Sequence, residues 1–425
     1  MKLFIKSTIL LIIGGFITKI LGMIIKIIIT RNIGLEGLGI YMMIMPTFSL
    51  FIGLCQFGLP IAIAKLVSEN KSNNKNILIL STFISISIDI IIIVLILTLS
   101  KFISNNLLHD IRTYYPLKCI CLVLPFISIS SIIRAYFFGK QKMLPHVISN
   151  IIEDIIRLII LLIGIPIFIS KGIIYAVCFL VLSNIISEIS SIIVLYFFLP
   201  KKINITKNDF NLQNIKNIYR ISIPTVITRL IGNIGYFLEP IILTNTLLYI
   251  GYSNEFITNE YGIIQGYVIP LLTLPTFFTN AISNSLLPNI SNAYSKNKNI
   301  KSKIKQGLFI SLFIGIFFTI IFMFFSKPLL NIIYNTNLGL NYIKVLAPIF
   351  LLLYIQSTLS SILQAINLTN KICITSLMGI LVRTISLFLF SLLKIGLWGL
   401  IFSIIINLIF ITGHYLIYLK KYIFT

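Results

Sequence analysis

Acidic residues are scarce in this 425-residue chain: Asp and Glu number 11 against 34 Lys and Arg, a formal net charge of +23. Charge of either sign is rare, at 11% of residues, while 57% are hydrophobic. So little charge cannot clothe a soluble globule of this length, and that class is excluded. The three histidines, His109, His146 and His414, are scattered and show no metal-ligand spacing. The five cysteines (Cys55, Cys119, Cys121, Cys178 and Cys373) all fall in apolar stretches. Their number is odd, and Cys119 and Cys121 point to different faces of a helix, so neither a disulfide framework nor a metal site follows. No glycine-rich phosphate loop follows a strand, and no Ser-His-Asp set or HExxH motif occurs. The expectation is a non-enzyme without cofactor or metal. The basic excess sits on no soluble domain, so nucleic acid is not an expected partner.

What the sequence has in abundance is long apolar runs. About twelve are long enough to cross a bilayer. They cover approximately residues 3–30, 38–66, 77–100, 115–138, 147–169, 172–199, 217–249, 260–292, 304–326, 341–366, 372–393 and 395–419. The fold class is an all-α polytopic membrane protein. Lys2 and Lys6 precede a first run longer than a signal-peptide core and without a small-residue cleavage site, so it reads as a retained helix. With the N-terminus inside, the cytoplasmic connections collect most of the basic residues, among them Lys65, Lys71, Lys75, Arg134, Lys140, Lys142, Lys201, Lys202, Lys296 and Lys301. That asymmetry places both termini in the cytoplasm and brings the basic loops against anionic headgroups of the membrane lipids.

The chain repeats itself. Thr18-Lys19-Ile20-Leu21-Gly22 returns as Thr228-Arg229-Leu230-Ile231-Gly232, and Met45-Pro46-Thr47-Phe48 as Leu274-Pro275-Thr276-Phe277. Gly58-Leu59-Pro60 has a looser counterpart in Leu286-Leu287-Pro288. The organisation expected is an N-terminal lobe of six helices over 1–199, a cytoplasmic linker over 200–216 and a C-terminal lobe of six over 217–425. Six spans per half is an even number, so the copies face the same way, with a site expected between them near the midplane.

Charges inside the apolar runs are the candidate functional residues. A cation at the bilayer centre costs roughly 3 kcal/mol on insertion scales, and the repeat places one in each half, Lys19 and Arg229. Lys26 lies two turns beyond Lys19 on the same face and reads equally as an anion contact or as a side chain reaching an interface. Arg383 has no local acid. These four form the expected wall for an anionic substrate. Glu153 and Asp154 stand four and three residues before Arg157, a spacing for a pair within one helix. Asp89, Glu188 and Glu239 are lone acids that either pair with a base or hold a coupling cation. Pro46, Pro60, Pro270, Pro275 and Pro288 interrupt the second and eighth spans, and Pro224 and Pro240 the seventh; they read as hinges or as static kinks.

Three segments carry a resemblance: Thr18–Gly22, Arg31-Asn32-Ile33-Gly34-Leu35-Glu36-Gly37-Leu38-Gly39-Ile40-Tyr41, and Gly58-Leu59-Pro60-Ile61-Ala62-Ile63-Ala64-Lys65-Leu66-Val67-Ser68-Glu69. They resemble the opening of the stage V sporulation protein B group, within the polysaccharide transporter branch of the multidrug/oligosaccharidyl-lipid/polysaccharide exporter superfamily. The resemblance implies a two-lobed, V-shaped, MATE-like helical transporter of the bacterial cell membrane. It implies a flippase for a lipid-linked sugar pyrophosphate, such as a peptidoglycan precursor, working by alternating access. In relatives that flip lipid II, basic residues of the first span and the second lobe line the cavity; Lys19 falls on that position, with Arg229 as its repeat mate, and Lys26 matches a position usually basic in the group. Such relatives commonly carry two further C-terminal spans, which this sequence is expected to lack. The rival readings are a cation-coupled multidrug exporter, which would present acids to a cationic substrate, a membrane glycosyltransferase, which would need a large outer loop, and a non-transporting scaffold.

Overall fold

The computed structural model describes residues 2–69, 74–199, 212–296 and 299–424. Isoleucine-rich segments have only moderate helix propensity in water. In hydrocarbon every backbone N–H and C=O must be satisfied within its own segment, and the helix does that. The described residues accordingly form α1 (Lys2–Asn32), α2 (Gly34–Gln56), α3 (Leu59–Ser68), α4 (Asn74–Phe102), α5 (Tyr114–Gly139), α6 (Met143–Ile169), α7 (Ile173–Phe198), α8 (Leu212–Ile250), α9 (Asn254–Ile263), α10 (Ile269–Thr273), α11 (Thr276–Ser295), α12 (Lys301–Phe324), α13 (Ser326–Tyr334), α14 (Leu340–Ala365), α15 (Thr369–Ser391) and α16 (Trp398–Leu419). Among the described residues ten helices are long and apolar enough to cross a membrane, or eleven if one bent pair is a single span. α6 has the length, at 27 residues, but carries Glu153, Asp154 and Arg157, and would complete the expected set. Most of the linker expected over 200–216 lies outside the described residues.

The chain divides into two compact units, Met1–Pro240 and Ile241–Thr425. In the first, α5 is the hub, packed against α2, α3, α4 and α7, while α6 bridges α7 and α1. In the second, α14 is the hub, packed against α11, α12 and α16. α5 and α14 correspond to the fourth run of each sequence half, so the repeat extends to the packing within each unit. Core residues are aliphatic and aromatic: Ile63, Ile77, Ile132, Phe137 and Leu195 in the first unit, and Ile290, Ile304, Leu359, Leu363 and Tyr415 in the second. The outward sides are apolar as well, with Ile91 and Phe313 both 65% exposed, as helices bathed in lipid require. Buried small polar residues mark the helix contacts: Ser183, Ser187 and Ser191 lie one turn apart on α7. Ser183 and Ser187 return their hydroxyl protons to carbonyls of their own helix, a device that lets neighbouring backbones approach closely.

The proline-bearing spans differ in their breaks. The second span stops at Phe57 and Gly58, both in the left-handed region (φ 44° and 66°). Pro60 then sits in the first turn of α3, where its missing N–H costs nothing, not in mid-helix as the sequence spacing suggests. The eighth span bends by 47° between Thr273 and Thr276, with Pro275 capping α11 and Pro270 opening α10. Pro46 and Pro288 lie inside the continuous helices α2 and α11, and Pro224 and Pro240 inside α8. The repeat mates Pro46 and Pro275 therefore do different things: one helix continues and the other breaks.

Candidate functional site

The break after α2 is what brings α8 close. A Cβ on Gly58 would lie 2.6 Å from the carbonyl oxygen of Ser222, and one on Gly53 would lie 2.3 Å from Asn233 Nδ2. Two glycines thus let the first half of α8 lie against the α2–α3 corner, where Asn233 donates to the Ser49 carbonyl at 3.2 Å. One turn before Asn233, Arg229 donates through Nη1 to Gln56 Oε1. Arg229 thereby joins the wall of a cavity of about 920 Å³ within the first unit, near the upper end for ligand sites.

The cavity is built from Leu11 of α1, the end of α2, α3, the second half of α5, the start of α6 and Arg229. Its polar lining is Gln56, Lys65, Ser68, Ser131, Arg134, Gln141, His146 and Arg229, and among the described residues no carboxylate lines it. Lys65 also lines an adjoining cavity of about 510 Å³ with Glu69 and Arg220. Arg134 also lines a cavity of about 240 Å³ with Thr18, Asn150, Glu153 and Asp154. An apolar frame with three cations, of which Arg134 is already engaged by Glu153 and Glu188, and several neutral hydrogen-bonding groups suits an anion carrying a polar head.

Arg229 is the one sequence-predicted cation on this cavity. Lys19 is exposed and Lys26 half-buried on α1, and neither lines it, although Thr18 reaches the smaller cavity that Arg134 shares. Arg383 lies half-buried on α15 of the second unit, where its carbonyl accepts from Ser386 at 3.0 Å. The pairing suggested by helix spacing between Glu153 and Arg157 is not the one formed: Glu153 meets Arg134 of α5. Glu188 of α7 meets the same guanidinium at 3.4 Å. Asp154 lines the smaller cavity beside them. Asp89 is buried on α4 and accepts from Ser128 at 2.9 Å, its second oxygen making no hydrogen bond. Glu239 is buried on α8. Among the described residues no three of His, Cys, Asp and Glu group as metal ligands.

Sequence reading missed Arg134 and Lys65 by assigning both to cytoplasmic connections. The signal for Arg134 was present: it stands inside the apolar run 115–138, where a cation calls for a partner or a function. Gln56 and His146 gave no such signal, since neutral polar residues are common near helix ends.

Comparison with known proteins identifies the family. The polysaccharide biosynthesis protein family model matches residues 4–293, and the MatE model matches residues 265–389. The chain is 36% identical over 424 residues to stage V sporulation protein B of Bacillus subtilis (strain 168), covering 96% of this chain and 82% of that one. It is 22% identical to the lipid II flippase MurJ of the same organism, covering 89% of this chain and 76% of that one. Among solved structures, the inward closed conformation of lipid II flippase MurJ superposes with a TM-score of 0.73 at 18% identity, covering 97% of this chain and 87% of that one. An inward-facing MATE family multidrug resistance transporter superposes at 0.67 and 15% identity, covering 96% and 94%. Of these relatives, MurJ is named as a flippase and the MATE family protein as a transporter. The chain is a multi-pass membrane protein that belongs to the polysaccharide biosynthesis protein family and, within it, to the group of stage V sporulation protein B.

Proposed function

We propose that this protein is a flippase for an anionic lipid-linked oligosaccharide, a peptidoglycan or polysaccharide precursor, moved across the cytoplasmic membrane by alternating access. The observation that carries the reading is the sign of the cavity: Lys65, Arg134 and Arg229 line it, no carboxylate is among its described lining residues, and Arg134 is paired with Glu153 and Glu188 behind the wall. The pyrophosphate is the part of such a substrate that cannot cross hydrocarbon unaided, and fixed cations replace its hydration. Arg229 makes the direct contact in this reading. Lys19, Lys26 and Arg383 supply further positive charge along the route, and the breaks near Pro60 and Pro275 allow rocking. Pro46, Pro224, Pro240, Pro270 and Pro288 remain candidate hinges on the same grounds. Both termini are taken as cytoplasmic, and Asp89, Glu188 and Glu239 as acids that either pair with a base or hold a coupling cation.

The test is transbilayer movement of a lipid-linked sugar pyrophosphate by the purified chain in vesicles, together with complementation of a strain lacking its lipid II flippase. Movement lost in Arg229→Ala supports the reading. Export of a cationic dye with no movement of the lipid pyrophosphate would replace it with a cation-coupled multidrug exporter.

A further inference from the structure

Arg134 is held in an unusual way for a residue on the wall of a cavity. Its three hydrogen bonds all leave from Nη2: to Glu153, to Ser191 at 2.6 Å and to Glu188 at 3.4 Å. Nε is buried and makes none, so the planar fork that suits a phosphate is only partly used. Both cavities that meet at Arg134 reach it. Arg157 lies one turn along α6 from Glu153, on the helix that also carries Asp154, shares a hydrogen bond with Tyr41 of α2, and has its own Nε buried without a partner. The cluster therefore holds two guanidiniums, of which Arg134 carries the carboxylate contacts and Arg157 has a donor to spare.

We infer that Arg134 is a substrate-binding residue kept in reserve by Glu153 and Glu188, which stand where phosphate oxygens would sit, and that Arg157 takes over those carboxylates when a phosphate draws Arg134 into the cavity. The inference rests on the flippase reading above and adds to it a basis for selecting the substrate's charge. A carboxylate removed from its guanidinium inside a protein is costly unless another cation receives it; Arg157 meets that need, so the number of ion pairs is kept. A singly charged anion offers Arg134 less than the two carboxylates already do. A pyrophosphate offers more charge and oxygens placed for the fork. The carboxylates thus act as a threshold that rejects monoanions, which is specificity by a built-in competitor.

The test uses the full chain in detergent and two probes, inorganic pyrophosphate and singly charged methanesulfonate, titrated calorimetrically. Wild type is expected to favour pyrophosphate at least tenfold. Glu153→Gln with Glu188→Gln should tighten methanesulfonate binding about tenfold and erase most of the preference. Arg134→Gln added to that pair should abolish the gain, and Arg157→Gln alone should weaken pyrophosphate binding. Should the double variant fail to fold, Glu188→Gln alone, which removes only the 3.4 Å contact, should move the preference in the same direction by a few-fold. Unchanged selectivity in the carboxylate variants, with wild type binding pyrophosphate, overturns the threshold and leaves the flippase reading standing. No binding of pyrophosphate by wild type or any variant overturns both.

Discussion

Arg229 and Gln56 are joined across the α8–α2 contact by a hydrogen bond from Nη1 to Oε1. The arginine that the sequence repeat pairs with Lys19 is thereby oriented along the cavity wall by a neutral partner. A carboxylate in place of Gln56 would satisfy the guanidinium and compete with an anion; an amide fixes its direction and leaves its charge available. Replacing Arg229 with Ala is expected to lower flipping by about 10- to 100-fold, the equivalent of one charge-assisted hydrogen bond of about 1.5–3 kcal/mol. Arg229→Lys should keep part of the activity, having the charge without the fork. Lys19→Ala, which removes a side chain not on this wall, should lose less. Equal losses in Arg229→Ala and Lys19→Ala, measured in vesicles at matched protein level, would put Lys19 back at the substrate.

A second ion-pair cluster fixes the entrance to α5. Asp110 accepts from the backbone N of Arg112 at 3.0 Å, from its Nε at 2.8 Å and from its Nη2 at 2.7 Å, while Nη1 donates to Glu36 at the start of α2. The two acids differ in burial: the Asp110 side chain is 4% exposed and that of Glu36 is 42%. Removing the buried partner leaves the guanidinium with the larger deficit. Asp110→Ala should therefore cost about 3 kcal/mol of stability, and Glu36→Ala about 1 kcal/mol or less. Thermal unfolding in detergent checks the order, and a larger loss in Glu36→Ala would contradict it.

How much of this was legible in the sequence follows from which forces are local. The apolar runs were readable because hydrophobic length and the backbone's need for internal hydrogen bonds act within a segment, whereas the hub role of α5 and α14 was not, since it is set by packing between segments. Arg229 was readable because its sentence recurs at Lys19. The Glu153–Arg134 contact was not, since the local spacing pointed to Arg157 and the partner comes from another helix 19 residues earlier. Arg134 itself was hidden by topology counting, which treats every basic residue near a span end as an orientation signal. The break at Phe57–Gly58 was masked by Pro60, which drew attention as the helix breaker although the left-handed pair before it does the turning.

Gly58 gives a separate test of how α8 is seated. Its φ of 66° costs a side-chain-bearing residue about 1–2 kcal/mol, and a Cβ would also press on the Ser222 carbonyl at 2.6 Å. The two causes separate with a second substitution, because Asn tolerates the left-handed region better than Ala but adds the same Cβ. Gly58→Ala and Gly58→Asn are both expected to lower thermal stability and to weaken transport. If Gly58→Asn behaves as wild type, the close approach of α8 is not what requires glycine here.

The bend in the second unit can be tested through one hydroxyl. Pro275 has no N–H, and the helix restarts at Thr276, so carbonyls of the preceding turn lose their usual donors. Two side chains replace them: Thr276 Oγ1 donates to Thr273 O at 2.6 Å, and Tyr354 of the hub helix α14 donates to Leu272 O at 2.7 Å. Tyr354 is fully buried, and water has no route to substitute for it. Tyr354→Phe keeps the ring and its packing and deletes only the donor. The cost should be that of a buried carbonyl left unsatisfied, about 1–3 kcal/mol, seen as a lower unfolding temperature. Hydrogen exchange should rise most in α10 and the first turn of α11, because the bend is where the lost bond acts. A variant with unchanged stability and unchanged exchange there would mean that the bend holds its own backbone and that the hydroxyl of Tyr354 is incidental to it.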